Sequence, residues 1–227
     1  SFYPVLAYLP YNEEKERKDG GIEMSKVDYK KIQKEFYALK KGVFHFVDVP
    51  EMKILCIDGE GNPGTAKAFQ MAVEALLAFS YTLKFQMKAE GFDYVVMPLE
   101  GQFYMDDMSQ FSEMRKDEWK WTLMIRQPDQ VTNVQVEKAR KTVETKKNPE
   151  ALGQVRFEAF TEGKSAQILY LGPYAEETET IQALHGFIEE NGCIKRGRHH
   201  EIYLNDMRRT APEKLKTVIR QPVESRK

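Results

Sequence analysis

Apolar and polar positions along the chain follow two periods, and the change from one to the other marks the elements. Met52 to Ile57 is a short run rich in β-formers, closed by the turn cluster Gly59-Glu60-Gly61-Asn62-Pro63-Gly64. From about Thr65, Phe69, Val73, Leu76, Leu83 and Met87 recur near helical spacing, and Gly91 offers a stop. Tyr94 to Met97 reads as a strand, Leu99 to Met105 as another around an irregularity at Gly101, and Trp119 to Arg126 as a third.

Ile125-Arg126-Gln127-Pro128 returns as Ile219-Arg220-Gln221-Pro222, and the flanks agree in order and type. Ala166 to Leu171 is the matching strand, Gly172-Pro173 the turn, and Glu176 to Glu190 the helix, with Ile181, Leu184 and Ile188 on one face. His200 to Leu204 is a strand, Thr210-Ala211-Pro212-Glu213 a capping-box pattern, and Thr217 to Arg220 the last strand. Thr132 is placed to cap a connecting helix carrying Val136, Ala139 and Val143. The pattern predicts an α+β fold of two pseudo-symmetric strand-helix-strand-strand repeats. The first repeat covers about 50–128, the linking helix about 132–147 and the second repeat about 155–223, within one domain over 24–227. Residues 1–23 read as an extension, poorly structured and upstream of a natural start at Met24-Ser25-Lys26.

The composition is that of a folded globular chain, 41% hydrophobic with a net charge of −1. That balance gives no global attraction to nucleic acid or anionic lipid. No apolar run approaches the roughly 18 residues of a membrane span, and Ser1 to Tyr11, broken by Pro4 and Pro10, does not read as a signal peptide. Cys56 and Cys193 stand far apart without a metal-ligand pattern and read as reduced thiols, so a cytoplasmic location is expected. No partner is expected beyond a small-molecule ligand: no nucleic acid, no membrane and no obligate protein.

Nucleotide, nucleophile-elbow and zinc motifs are absent. Gly59-Glu60-Gly61 precedes a helix, but Glu60 would repel phosphate and a plain turn is expected. His199-His200 cannot chelate one ion from a strand, whose successive side chains face opposite ways, so neither metal nor cofactor is expected. His45 and His185 read as structural, and no histidine stands out as a haem ligand. Glu201 is the sharper signal: a glutamate inside an apolar strand is either on a solvated face or aimed into a cavity. Sliding Tyr203-Leu204-Asn205-Asp206-Met207 onto Tyr104-Met105-Asp106-Asp107-Met108, an offset of 99, pairs Glu201 with Gln102 and Tyr203 with Tyr104. Phe103, Trp119, Trp121, Tyr170 and Tyr174 lie on neighbouring elements. Such rings either fill the core or wall a wet-edged pocket for a planar molecule.

Leu99-Glu100-Gly101, Glu118-Trp119-Lys120-Trp121, Ile125-Arg126-Gln127-Pro128-Asp129, Glu162-Gly163, Gln167 to Tyr174 and His199 to Asp206 together resemble the GyrI-like small-molecule-binding proteins, over about Met24 to Val223. The resemblance implies the two-repeat fold with a ligand cleft between the repeats, and a xenobiotic ligand opposite a buried glutamate, which maps to Glu201; the family's Gly-Pro-Tyr tyrosine maps to Tyr174. One similar subfamily of stand-alone proteins hydrolyses the cyclopropane of DNA-alkylating cyclopropanoids such as yatakemycin, using an aromatic cage. Where many relatives have Glu-Gly-Leu-Trp-Trp, this chain has Glu100-Gly101-Gln102-Phe103-Tyr104, and it has Tyr170 where many have histidine. The expected activity is therefore opening of a strained ring by water. Glu201 would orient or deprotonate the water, and Tyr170 or Tyr104 would assist at the oxyanion, while Gln102, Phe103, Trp119, Trp121, Tyr174 and Tyr203 hold the substrate. The alternative is sequestration without chemistry, with Glu201 as counter-ion to a cationic drug. The sensing half of a transcription regulator is disfavoured by the lack of a helix-turn-helix segment.

Overall fold

The computed structural model describes residues 26–206 and 209–226, apart from the side chain of Glu113; the extension expected over 1–23 lies outside them. Among these residues nine strands form one antiparallel sheet: β1 (His45–Val49), β2 (Met52–Glu60), β3 (Leu99–Tyr104), β4 (Lys120–Gln127), β5 (Arg156–Phe160), β6 (Gly163–Leu171), β7 (Cys193–Lys195), β8 (His199–Tyr203) and β9 (Lys216–Ser225). The strand order is β1-β6-β9-β8-β3-β4-β2-β5, with β7 paired to the far end of β9. Either side of the central β8-β3 pair the order β9-β6 mirrors β4-β2, so the expected duplication is present. β1 precedes the first repeat yet pairs with β6 of the second, and β5, at the start of the second, pairs with β2 of the first.

Among the described residues five α-helices accompany the sheet: α1 (Tyr29–Ile32), α2 (Lys34–Tyr37), α3 (Lys67–Ala89), α4 (Asn133–Lys146) and α5 (Thr178–Glu190). α3 buries Phe69, Val73, Leu76, Phe79, Leu83 and Met87, each worth roughly 1.5–3 kcal/mol of burial. Its Phe69 ring meets Trp121 edge-on at 5.1 Å. Gly59, opposite Trp121 in the β2-β4 ladder, has no Cβ because the indole occupies that space. α5 lays Leu184 and Ile188 on the same face of the sheet, against Ala166, Ile168 and Ile219. α4 starts at Thr132, whose backbone N–H donates to Gln135 Oε1 at 3.0 Å, and packs on α3. The short α1 and α2 close the opposite face, where Gln167 and Arg220 bond to the carbonyls of Glu35 and Phe36. No described helix is long and apolar enough to cross a membrane.

Three expectations are corrected. Tyr94 to Met97 forms no strand: it is β-rich, but it pairs only through an isolated bridge of Tyr94 to Val27. Thr210-Ala211-Pro212-Glu213 makes no capping box, because the chain turns only once, through a 3-10 helix at Pro212–Lys214. The offset of 99 slips the repeat by one residue. In the sheet Gly101 stands opposite Glu201 and Gln102 opposite His200. Directly paired residues share a face and a one-residue slip reverses every side chain. Glu201 and Tyr203 therefore share a face with Phe103, while Gln102 and Tyr104 lie on the other.

Candidate functional site

α3 and α5 lie side by side on one face of the sheet, and the floor between them is β8 and β3. A glutamate on this floor must find donors, because an isolated buried carboxylate is strongly disfavoured. Glu201 is 3% exposed. His199 Nε2 lies 3.0 Å from its Oε1, and Tyr203 donates its hydroxyl to Oε2 at 2.7 Å. Both partners sit two positions away on the same strand, so the alternation that buries Glu201 also supplies its donors. Glu177, at the start of α5, adds a third bond, for which its own carboxyl must carry the proton. Burial alone would raise the Glu201 pKa, but the bonds from His199, Tyr203 and Glu177 outweigh it and hold the pKa below the usual carboxylate range.

The carboxylate opens into a cavity of about 710 Å³. Its walls come from both halves: Phe111 and Trp119 from the β3-β4 connection, Thr178, Ile181, Gln182 and His185 from α5, and Lys195 and His199 beyond it. Phe111 stacks on Trp119 with centroids 4.5 Å apart, and Trp119 donates its indole N–H to Ser112 O at 2.9 Å. Met108 and the fully exposed Met114 sit at the rim. Such apolar walls around a few polar groups suit a small organic ligand.

Of the residues singled out in the sequence, Glu201 and Trp119 line this cavity. Tyr203 touches Glu201 through its hydroxyl, while its ring packs edge-on against Tyr174 at 5.4 Å. Those two rings face a smaller hollow of about 230 Å³ on their far side, beneath Val73 and Leu77 of α3. Burial, with Glu201 and Glu177 nearby, pushes the Tyr174 phenol well above its ordinary pKa. Phe103 and Trp121 are buried in the core, Phe103 against Trp119 at 5.7 Å. Tyr170 donates to Pro173 O at 2.9 Å in the α5 cluster, away from Glu201. Tyr104, beneath the Arg198 guanidinium at 3.6 Å, and Gln102 belong to the reverse face. The structure thus does not bring Tyr104, Tyr170 or Gln102 to the carboxylate. His199 and Glu177 are there instead, and His185 lines the same cavity; for His199 the available signal was its two-residue spacing from Glu201.

The reverse face carries a second buried polar cluster, and it separates the two histidines of the pair. His200 Nδ1 lies 2.8 Å from Glu162 Oε1, and its Nε2 is 3.1 Å from Glu100 Oε2. Arg220 bonds Glu162 Oε2 at 3.1 Å and Gln167 Oε1 at 2.9 Å. Burial opposes charge on both members, but the opposite charges prevail: Glu162 is held at about 2 and His200 is raised to about 9. The strand that presents Glu201 is thereby pinned from behind.

The sequence model of the GyrI-like small molecule binding domain matches residues 43–224. An uncharacterized conserved protein from Listeria innocua is 38% identical, with a TM-score of 0.82 over 88% of this chain and 100% of that one. A hydrolase from the same organism is 37% identical, with a TM-score of 0.78 over the same shares. The C-terminal domain of EcmrR shares the fold at 14% identity, with a TM-score of 0.51 over 81% of this chain and 98% of that one. No curated protein matches the chain. A duplicated sheet with helices flanking a walled carboxylate, and a domain match across four-fifths of the sequence, place this chain in the GyrI-like small-molecule-binding family.

Proposed function

We propose that the protein binds planar small molecules in the Glu201 cavity and hydrolyses a strained electrophilic ring in them, such as the cyclopropane of a yatakemycin-like cyclopropanoid, as cellular protection. The observation that carries this reading is a buried carboxylate bonded to an imidazole at the foot of a partly aromatic cavity. The 37% identical Listeria innocua hydrolase supports hydrolysis as the reaction class.

Glu201, kept ionised by its donors, accepts the His199 Nε2–H. That bond fixes the tautomer and leaves His199 Nδ1 as the basic nitrogen. His199 then takes the proton of an attacking water, and Glu201 stabilises the imidazolium that forms. Phe111 and Trp119 hold the planar substrate against this pair. The water oxygen bonds to a cyclopropane carbon, the strained C–C bond breaks, and its electrons pass into the conjugated carbonyl as an oxyanion.

A spirocyclopropyl cyclohexadienone is a sufficient probe. The protein is expected to convert it to the hydroxyethyl phenol, gaining the mass of one water, and Glu201→Gln should slow conversion by about 10²–10⁴-fold while retaining binding. Equal turnover by wild type and variant rejects the role of Glu201. Binding with unchanged mass would instead favour sequestration, a reading supported by the depressed Glu201 pKa, which suits a permanent counter-ion for a cationic ligand.

A further inference from the structure

We propose that the reverse face of the sheet carries a second ligand site, for a small carboxylate with an apolar body, and that Arg198 and Gln102 hold its charged end. The site lies across the sheet from Glu201 and needs nothing from the reading of that cavity. The hollow there measures about 370 Å³, within the size range of small-molecule sites. Its floor is apolar: Ile54 of β2 and Met124 of β4 are buried there, with Phe160 of β5 packed against them.

Gln102 of β3 also lines this hollow, paired in the sheet with Thr122 on one side and His200 on the other. The residue is 6% exposed, and among the described residues nothing bonds to its side-chain amide. Unlike the unpartnered Trp121 Nε1, which is sealed off, the Gln102 amide retains accessible surface, and it opens on this hollow. An amide so nearly buried has given up most of its water without gaining a partner, a cost that a ligand in the hollow would remove.

The charges on the lining decide which ligand. Arg156 is matched, lying 2.9 Å from Asp58 and 3.4 Å from Glu158. Glu162 is matched by Arg220 and His200. Arg196 spends N–H groups on the carbonyls of Glu162 and Val223. Arg198 lies over the Tyr104 ring at 3.6 Å and gives one N–H to Thr122 Oγ1 at 3.0 Å, while that hydroxyl donates to Asp58 at 2.6 Å. Among the described residues neither Arg196 nor Arg198 meets a carboxylate. Three guanidiniums against Asp58 and Glu158 leave a surplus of one positive charge, which suits a monoanion better than a dianion. Arg198 has spent one of its five N–H groups, its plane is set by the tyrosine, and its fork matches a planar carboxylate. The carboxylate then takes N–H groups from Arg198 and Gln102, and the apolar body lies on Ile54 and Met124.

Benzoate, benzamide and benzamidinium share one shape and differ in charge at one end. Wild type is expected to bind benzoate about tenfold more tightly than benzamide, and benzamidinium least. In wild-type NMR spectra benzoate should shift the Gln102 side-chain amide and show ring contacts to the Met124 methyl, not to Trp119 of the Glu201 cavity. Arg198→Gln should bring benzoate and benzamide to equal affinity, and Gln102→Leu should weaken benzoate about tenfold. The wild-type spectra need no variant, so a variant that fails to fold leaves the assignment testable. Benzamide or benzamidinium binding as tightly as benzoate, a benzoate preference that survives Arg198→Gln, or ring contacts to Trp119 in place of Met124 each overturns the proposal. Folded wild type that binds none of the three overturns it as well, and leaves the reading of the Glu201 cavity untouched.

Discussion

Replacing Glu162 by glutamine removes the carboxylate shared by His200 and Arg220 on the reverse face of the sheet, and the loss can be sized before it is measured. His200 is raised from 6.5 to about 9, a shift equivalent to about 3 kcal/mol. The fall of Glu162 from 4.5 to about 2 contains the same Glu162–His200 contact, with Arg220 added there and Glu100 added on the histidine's side, so the two are not summed. Breaking a buried pair by deleting one member leaves the other charge uncompensated, typically at a cost of about 3–5 kcal/mol. Glu162→Gln should lose about that much in urea unfolding, followed by the fluorescence of Trp119 and Trp121. The sign of the pH dependence is also fixed. A histidine whose folded pKa is raised contributes fully below its unfolded pKa near 6.5, and that stability is lost as pH rises through about 9. Wild type should thus lose about 2 kcal/mol between about pH 7 and about pH 9, and the variant clearly less. The window stops there because Cys56 and Tyr37, both raised to about 12 by burial, add their own alkaline losses above it. A flat wild-type profile, or a variant within about 1 kcal/mol of wild type, would refute the reasoning.

Two further outcomes follow from local geometry. Gly59→Ala should lower the melting temperature through a loss of about 1–3 kcal/mol, since a Cβ there would meet Trp121 ring carbon at 2.1 Å and Phe69 backs the indole; calorimetry checks it. Tyr203→Phe removes a 2.7 Å bond to a buried carboxylate, a loss of about 1.5–3 kcal/mol. Titration of Glu201 by NMR should show its pKa rise, moving the acid limb of any hydrolytic profile to higher pH.

What was legible in the sequence was the strongly periodic part. Phe69 to Met87 gave α3, Ile181 to Ile188 gave α5, and the repeated Ile-Arg-Gln-Pro gave the central strands. The edge strands β1 and β5 escaped because their half-exposed residues, such as Phe46 and Arg156, carry little alternation. Tyr94 to Met97 misled because β-propensity records fitness for a pleated surface, not the presence of a neighbouring strand. Glu201 was readable as a charge inside an apolar strand, but its register against Gln102 was not, since matching Tyr203 to Tyr104 outweighed the face on which each tyrosine lies. Glu177 reaches Glu201, and His185 the cavity, only through the docking of α5, a long-range event with no local signature.

The crossed pairing of β1 with β6 and of β5 with β2 means that each half is hemmed by a segment the other half lends. His45 meets Gln167 across 122 residues of chain. A nascent chain that has emerged only as far as the linking helix has its leading segment without a neighbour and the flank of β2 open. Neither repeat is therefore a self-sufficient folding unit despite the duplication that built them, and consolidation must wait until the second has been synthesised.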